Sequence, residues 1–222
     1  MLELEKMGNE QTKKVFLKHG AKEPFFGVKA GDLKKIVKRV KKNYDLSLEL
    51  YETGNSDAMY LAGLIADPDK MTKEILQNWV EGAYWYYLSE FIIPDVTAAN
   101  KHGIELALEW IESKKETVAA AGWATLARIV SPKSKLELID SKVKNLLERV
   151  EKNLQSSQNR VKYAMNGFII ATGAYLPNLT ENAISIANKI GKVNVDMGGT
   201  SCKVPDAASY IQKTLDRINK KQ

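Results

Sequence analysis

The stretch GAYWYYLSEF, Gly82–Phe91, sets four aromatic side chains in succession and a fifth four residues later. Ring faces of this kind either fill a core or stack on nucleobases. On a helix, Tyr84, Tyr87, Leu88 and Phe91 share one stripe at i, i+3, i+4, i+7, and those three rings read as packing. Trp85 lines up with Ser89 and Ile92, and Tyr86 with Glu90 and Ile93, which is more apolar surface than one buried face needs. Trp85 and Tyr86 therefore either wedge against a neighbouring unit or line a concave surface. Trp85, with Tyr86 beside it, is the ring expected to face a nucleic acid. Trp123 sits in TVAAAGWATLARIV, where Ala119–Gly122 permit close approach of a neighbour, and is placed with them. Phe168 shares a stripe with Val161, Ala164 and Met165 and reads as core from its spacing. Trp79 and Trp110 read as packing.

A second chemistry is phosphate neutralisation. Residues 1–45 hold 12 Lys/Arg against 6 Asp/Glu, whereas the remaining 177 residues hold 21 of each, so the net charge of +6 lies in the first fifth of the chain. Its centre is GDLKKIVKRVKK. As a helix this puts Leu33, Ile36, Val37 and Val40 on one face. Lys34, Lys35, Lys38, Arg39, Lys41 and Lys42 cover the rest, with Asp32 as the expected N-terminal cap. Such a face is either simply solvated or contacts phosphates. A possible anion loop follows from Gly199, Thr200 and Lys203 in VDMGGTSCKVP, next to a helix N-terminus.

Other chemistries are excluded. The single Cys202 rules out an internal disulfide and a thiolate zinc cluster. His19 and His102 lack metal-ligand spacing and read as solvated surface residues, so neither metal nor cofactor is expected. No apolar run approaches the roughly 20 residues that cross a bilayer, and the start has no apolar signal core. The expected location is cytoplasmic, at the nucleoid if DNA is bound, with oligomeric state open and a monomer compatible.

The elements that must position these residues are helical throughout. Apolar periodicity marks segments near 5–18, 32–42, 45–53, 56–66, 71–81, 84–93, 102–113, 116–130, 133–151, 158–173, 179–189 and 206–219. Links such as ETGNSD, DPDKM, SPKS and LPN are short, which implies antiparallel neighbours. The predicted fold is all-α, a right-handed α-solenoid of antiparallel HEAT/armadillo-like helix pairs forming one domain, with room for about five pairs. The array is assigned to residues 1–190. Residues 191–222 are read as a loop plus a terminal helix packed on it, with Val193, Val195 and Met197 alternating like a short strand and Pro205 opening the helix.

FFGVKAGDLKKIVKRV, then LYETGNSDAMYLAGLIA and the aromatic helix, resemble the DNA alkylation-repair family, the HEAT-like alkylpurine DNA glycosylases. The similarity runs over about residues 5–190. It implies a basic concave face that wraps duplex DNA, and hydrolysis of the glycosidic bond of cationic N3- or N7-alkylpurines without metal or cofactor. In that family a tryptophan, an aspartate one turn later, an arginine on a following helix and a second aromatic carry the chemistry. A carboxylate beside the sugar can stabilise the developing cation and guide a water.

The resemblance places Trp85 at the tryptophan and Ser89, neutral at pH 7, at the aspartate. Glu90 comes next but is rotated by roughly 100° on a regular helix. The arginine falls near Ala120 or Ala121, with Arg128 roughly 10 Å further along the axis, and Phe168 takes the second aromatic position. Three readings follow. One is a DNA-binding member with absent or reduced glycosylase activity. The second is an active glycosylase relying on Glu90. The third is a helical-repeat scaffold for a protein partner. The segregated charge favours the first two, and the missing aspartate favours the first.

Overall fold

In the computed structural model, residues 1–132, 134–199 and 202–220 are described. Their regular structure is helical: α1 Leu2–Met7, α2 Glu10–Lys18, α3 Ala30–Val40, α4 Tyr44–Glu52, α5 Ser56–Ile65, α6 Lys73–Gly82, a π-helical turn Leu88–Ile92 running into α7 Ile93–Ala98, α8 Gly103–Trp110, α9 Glu116–Ile129, α10 Asp140–Asn153, α11 Asn159–Tyr175, α12 Thr180–Ile190 and α13 Ala207–Asn219. Short polar residues start several of them. The side chains of Asn9, Asn43, Asn55, Thr72 and Asp206 each accept from a backbone N–H of the first turn, satisfying donors a helix cannot satisfy itself.

The helices pack as an α-solenoid. Five successive pairs can be followed: α4 with α5, α6 with α7, α8 with α9, α10 with α11, and α12 with α13. The second members lie side by side, α5 against the π turn, α7 against α9, α9 against α11 and α11 against α13. One buried core runs through the first half of the chain and another through the second, and α9 contributes to both. The small residues of α9 explain how. A Cβ on Gly122 would stand 2.8 Å from the Ile111 nitrogen and 2.9 Å from the Ala107 carbonyl, so α8 rests directly on the α9 backbone. Trp79 and Trp110 are buried, as their spacing indicates.

The family motifs have a structural explanation. The buried Asp57 carboxylate accepts from three consecutive backbone N–H groups, Phe26 (2.5 Å), Gly27 (3.0 Å) and Val28 (3.0 Å). The FFGV segment is thereby folded onto the start of α5, and Gly27 takes φ +78°, a backbone conformation that suits glycine.

Several local expectations are corrected. Segment 5–18 is two helices, divided at Gly8 and the Asn9 cap. Asp32 is not a cap: α3 begins at Ala30, and Asp32 pairs with Lys35 in its first turn. The 133–151 segment is helical only from Asp140 to Asn153. No strand forms among the described residues of 191–205, because no partner strand lies beside them. Asn159 instead exchanges two hydrogen bonds with the Asp196 backbone, and Gln155 donates to the carbonyls of Ile190 and Lys192. The last helix opens at the Asp206 cap rather than at Pro205.

The aromatic segment departs most. The chain leaves the helix after Gly82, re-enters at Tyr86 and widens into the π turn. Pro94 has no N–H to donate to the carbonyl of Glu90, and Ile93 N–H bonds Leu88 O five residues back. A regular-helix wheel therefore misplaces the side chains from Trp85 to Phe91.

Candidate nucleic-acid interface

The rings of this segment form two layers. Trp85 is the inner one: 4 % exposed, its Nε1 donates to Ser56 Oγ (2.9 Å), and it packs on Phe16, Tyr86 and Tyr87. The assignment of Trp85 to an open surface is thus corrected, because the break at Ala83–Trp85 turns the indole inward. Phe91, expected in the core, is 38 % exposed. Tyr84, Tyr86 and Tyr87 are half-buried. Trp123 and Phe168 are both fully buried and pack on each other at 5.5 Å between α9 and α11, so neither lines a surface. The small face of α9 admits α8, not a ligand.

Ser89 and Glu90 both turn inward. Ser89 Oγ is buried with no hydrogen-bond partner among the described residues. The Glu90 side chain, 4 % exposed, is held in a two-pronged ion pair: Arg160 Nε and Nη2 donate to its two oxygens, each at 2.6 Å. The Arg160 guanidinium lies over Tyr86 at 4.3 Å and Tyr163 at 4.6 Å, an arrangement that suits its flat, weakly hydrated cation. Its backbone N–H donates to Glu116 at the start of α9 (2.7 Å). Burial pushes the Glu90 carboxyl up to about 6, against the pull of Arg160. The pairing holds Arg160 charged.

Around this pair the chain closes on itself. A cavity of about 240 Å³ is walled by Lys18, His19, Tyr86, Arg160, Met197 and Gly198 among others. His19 is not a freely solvated residue: its ring sits edge-on to Tyr86 at 5.6 Å, and burial together with Arg160 lowers its pKa. The segment 191–199 crosses the N-terminus of α11 to reach the end of α2, where a Cβ on Gly198 (φ +67°) would meet the Lys18 carbonyl at 2.4 Å. Gly199 and Lys203 are exposed, and Thr200 lies outside the described residues. The larger cavity of about 750 Å³ within this loop is lined by Lys192 and Lys203 and also by Asp196 and Asp206.

The basic residues are outside, as the helix wheel indicates. Lys34, Lys35, Lys38, Arg39, Lys41 and Lys42 are all exposed. Arg39 pairs with Glu3, Lys35 with Asp32 and Lys42 with Asp67, while Lys34, Lys38 and Lys41 enter no ion pair among the described residues. Solvent-exposed pairs of this kind hold their partners weakly. Lys42 and Lys135 border a groove of about 410 Å³ with Gly63, Ile92 and Asp95. Arg128 closes on Asp95 and on the Ala124 carbonyl. It does not meet Glu90 in an ion pair among the described residues. Ala120 and Ala121 are buried.

Arg160 is the residue of this candidate site that sequence reasoning missed. It is 70 positions from Glu90, and only its place in the first turn of a long apolar helix hinted at a role. No group of acidic, histidine or cysteine side chains among the described residues could hold a metal ion, and no described helix is long and apolar enough to cross a membrane.

Successive helix pairs whose second members lie side by side define a HEAT-like helical-repeat protein. The family model for the DNA alkylation repair enzyme matches residues 1–210, and the chain belongs to that family. It is similar to an uncharacterized protein of Listeria innocua, Lin0241, at 39% identity over 98% of this chain and 96% of the relative. It is also similar to Lmo0209 of Listeria monocytogenes, at 37% over 97% and 95%. A solved structure described as a new family of proteins related to the HEAT-like repeat DNA glycosylases, with affinity for branched DNA structures, superposes with a TM-score of 0.89. Its identity is 38%, with 98% of this chain and 92% of that one covered.

Proposed function

We propose that this protein binds DNA, branched DNA included, through phosphate contacts from α3, and that its glycosylase activity is absent or reduced. The observation that carries the reading is the state of Glu90. This is the one carboxylate next to the family's aspartate position, and both its oxygens are engaged by Arg160 in a buried pair. A carboxylate so held offers no free oxygen to a sugar cation or to an attacking water. Lys34, Lys38 and Lys41, exposed and without an ion pair among the described residues, support the DNA partner, as does the similarity to a structure described as having affinity for branched DNA.

Two measurements on the purified chain test this. Binding of fluorescent linear duplex and four-way junction is expected to weaken steeply with salt. Lys34→Gln/Lys38→Gln/Lys41→Gln is expected to flatten the log–log slope by about 2 to 3, roughly 0.9 for each phosphate no longer neutralised. Release of alkylated purines from methylated duplex, with protein in excess, is expected to stay at the spontaneous rate. Release above that rate, abolished by Glu90→Gln, would establish the glycosylase instead. Absence of binding at low salt would leave the protein-scaffold reading.

A further inference from the structure

We propose that the half-exposed rings of Tyr60, Tyr87, Phe91, Tyr86 and His19 form a stacking strip for unpaired bases at a DNA branch point. The proposal rests on the DNA-binding reading and adds the feature of the substrate that is recognised.

The strip is continuous. Tyr60 of α5 stacks on Tyr87 at 4.3 Å and 14°, Tyr87 meets Phe91 at 6.0 Å, Phe91 meets Tyr86 at 6.3 Å, and Tyr86 meets His19 at 5.6 Å. These are ordinary aromatic spacings, but in a layer that remains partly open. Phe91 at its middle is 38 % exposed, and the other four are neither buried nor free. Behind them Trp85 and Phe16 form the covered layer, in contact with Tyr87, so the outer rings are held in place from below. A run of five partly open rings, with Phe91 the exposed one, is the kind of apolar surface that marks an interaction site.

Charge identifies the occupant. At one end Tyr60 lies in the field of Arg128 and Asp95, which neutralise each other in an ion pair. At the other end Lys18, Arg160 and Asp196 line the cavity beside His19 and Tyr86, and Arg160 is neutralised by Glu90. Lys18 is exposed and enters no ion pair among the described residues. Rings flanked by an exposed lysine, with no uncompensated acid in ion-pair contact at the other end, suit a polyanion with aromatic faces. In an intact duplex those faces are covered by neighbouring pairs. At a branch point they are not, and stacking accepts any base because every base has a π-face.

The test compares Phe91→Ala and Phe91→Trp in full-length protein, on a synthetic three-way junction with unpaired bases at its branch point and on a linear duplex of the same sequence. The exposed position tolerates both changes. Phe91→Ala is expected to weaken junction binding by roughly fivefold to a hundredfold, the range for removal of one base stack, and to leave duplex affinity within about twofold. Phe91→Trp is expected to keep junction affinity. Equal weakening on both DNAs, or none on the junction, overturns the strip while the DNA-binding reading stands. No binding of either DNA by the native protein overturns both.

Discussion

Replacing Arg160 with methionine keeps an unbranched stem but removes the guanidinium and strands Glu90. In the native chain burial already places the carboxyl at about 6, against an ordinary value of 4.5, which corresponds to roughly 2 kcal/mol of disfavour for the charged form at neutral pH. Arg160 supplies the hydrogen bonds and the largest attraction that keep it from rising further. Without that partner, the cost of leaving one charge of a buried pair is about 3–5 kcal/mol. At roughly 2–4 °C per kcal/mol for a chain of this size, the melting temperature should fall by about 6–20 °C at pH 8.

The pH dependence follows from the sign of the shift. With a folded carboxyl pKa above the unfolded value, the native state holds a proton that the unfolded chain has released. Stability therefore falls as pH rises from 4.5 toward the folded value and then levels off. The native protein has this window only up to about 6, whereas Arg160→Met extends it upward. Urea unfolding at pH 5 and pH 8 should show the variant recovering much of its stability at the lower pH. Glu90→Leu/Arg160→Met, which removes both charges, should return to within about 1 kcal/mol of native at pH 8. Destabilisation under about 1 kcal/mol, destabilisation equal at both pH values, or a double variant no better than the single one refutes the reasoning.

Asp57→Asn keeps the shape but offers one acceptor oxygen in place of two to the three N–H groups of Phe26, Gly27 and Val28; destabilisation of about 2–4 kcal/mol is expected by urea unfolding. Gly122→Ala should cost about 1–3 kcal/mol, since its Cβ would strike backbone atoms of α8 and α9 cannot yield without moving it; an unchanged melting temperature would show that the two helices separate freely.

The helical array was legible because its signals are local. Apolar periodicity and short links mark the helices, and the apolar stripe of α3 places its lysines outside. The aromatic segment was not legible, for a reason equally physical. A wheel assumes regular rotation per residue, and Pro94 together with the break after Gly82 removes that regularity where Trp85, Glu90 and Phe91 lie. Trp85 then goes in and Phe91 comes out, the reverse of the stripe assignment. Nor does spacing carry any record of Arg160 meeting Glu90 across 70 residues. That meeting depends on how α11 lies beside the π turn, and tertiary placement is what a one-dimensional pattern omits.

The same π turn links the two proposals. It carries Glu90 inward to Arg160 and Phe91 outward to solvent on adjacent positions. The guanidinium that neutralises Glu90 also covers a face of Tyr86, one ring of the strip. A carboxylate cannot both neutralise a buried arginine and stand free beside a sugar cation, so a segment folded this way exchanges an acid for a clasped aromatic surface. On this argument the proposed absence of glycosylase chemistry and the proposed stacking strip have a single structural origin. Returning an aspartate at position 89 alone is then expected to restore no base release, because Arg160 stands beside the same turn, ready to pair with it. Release from Ser89→Asp protein at a rate that Arg160→Met does not increase would separate the two.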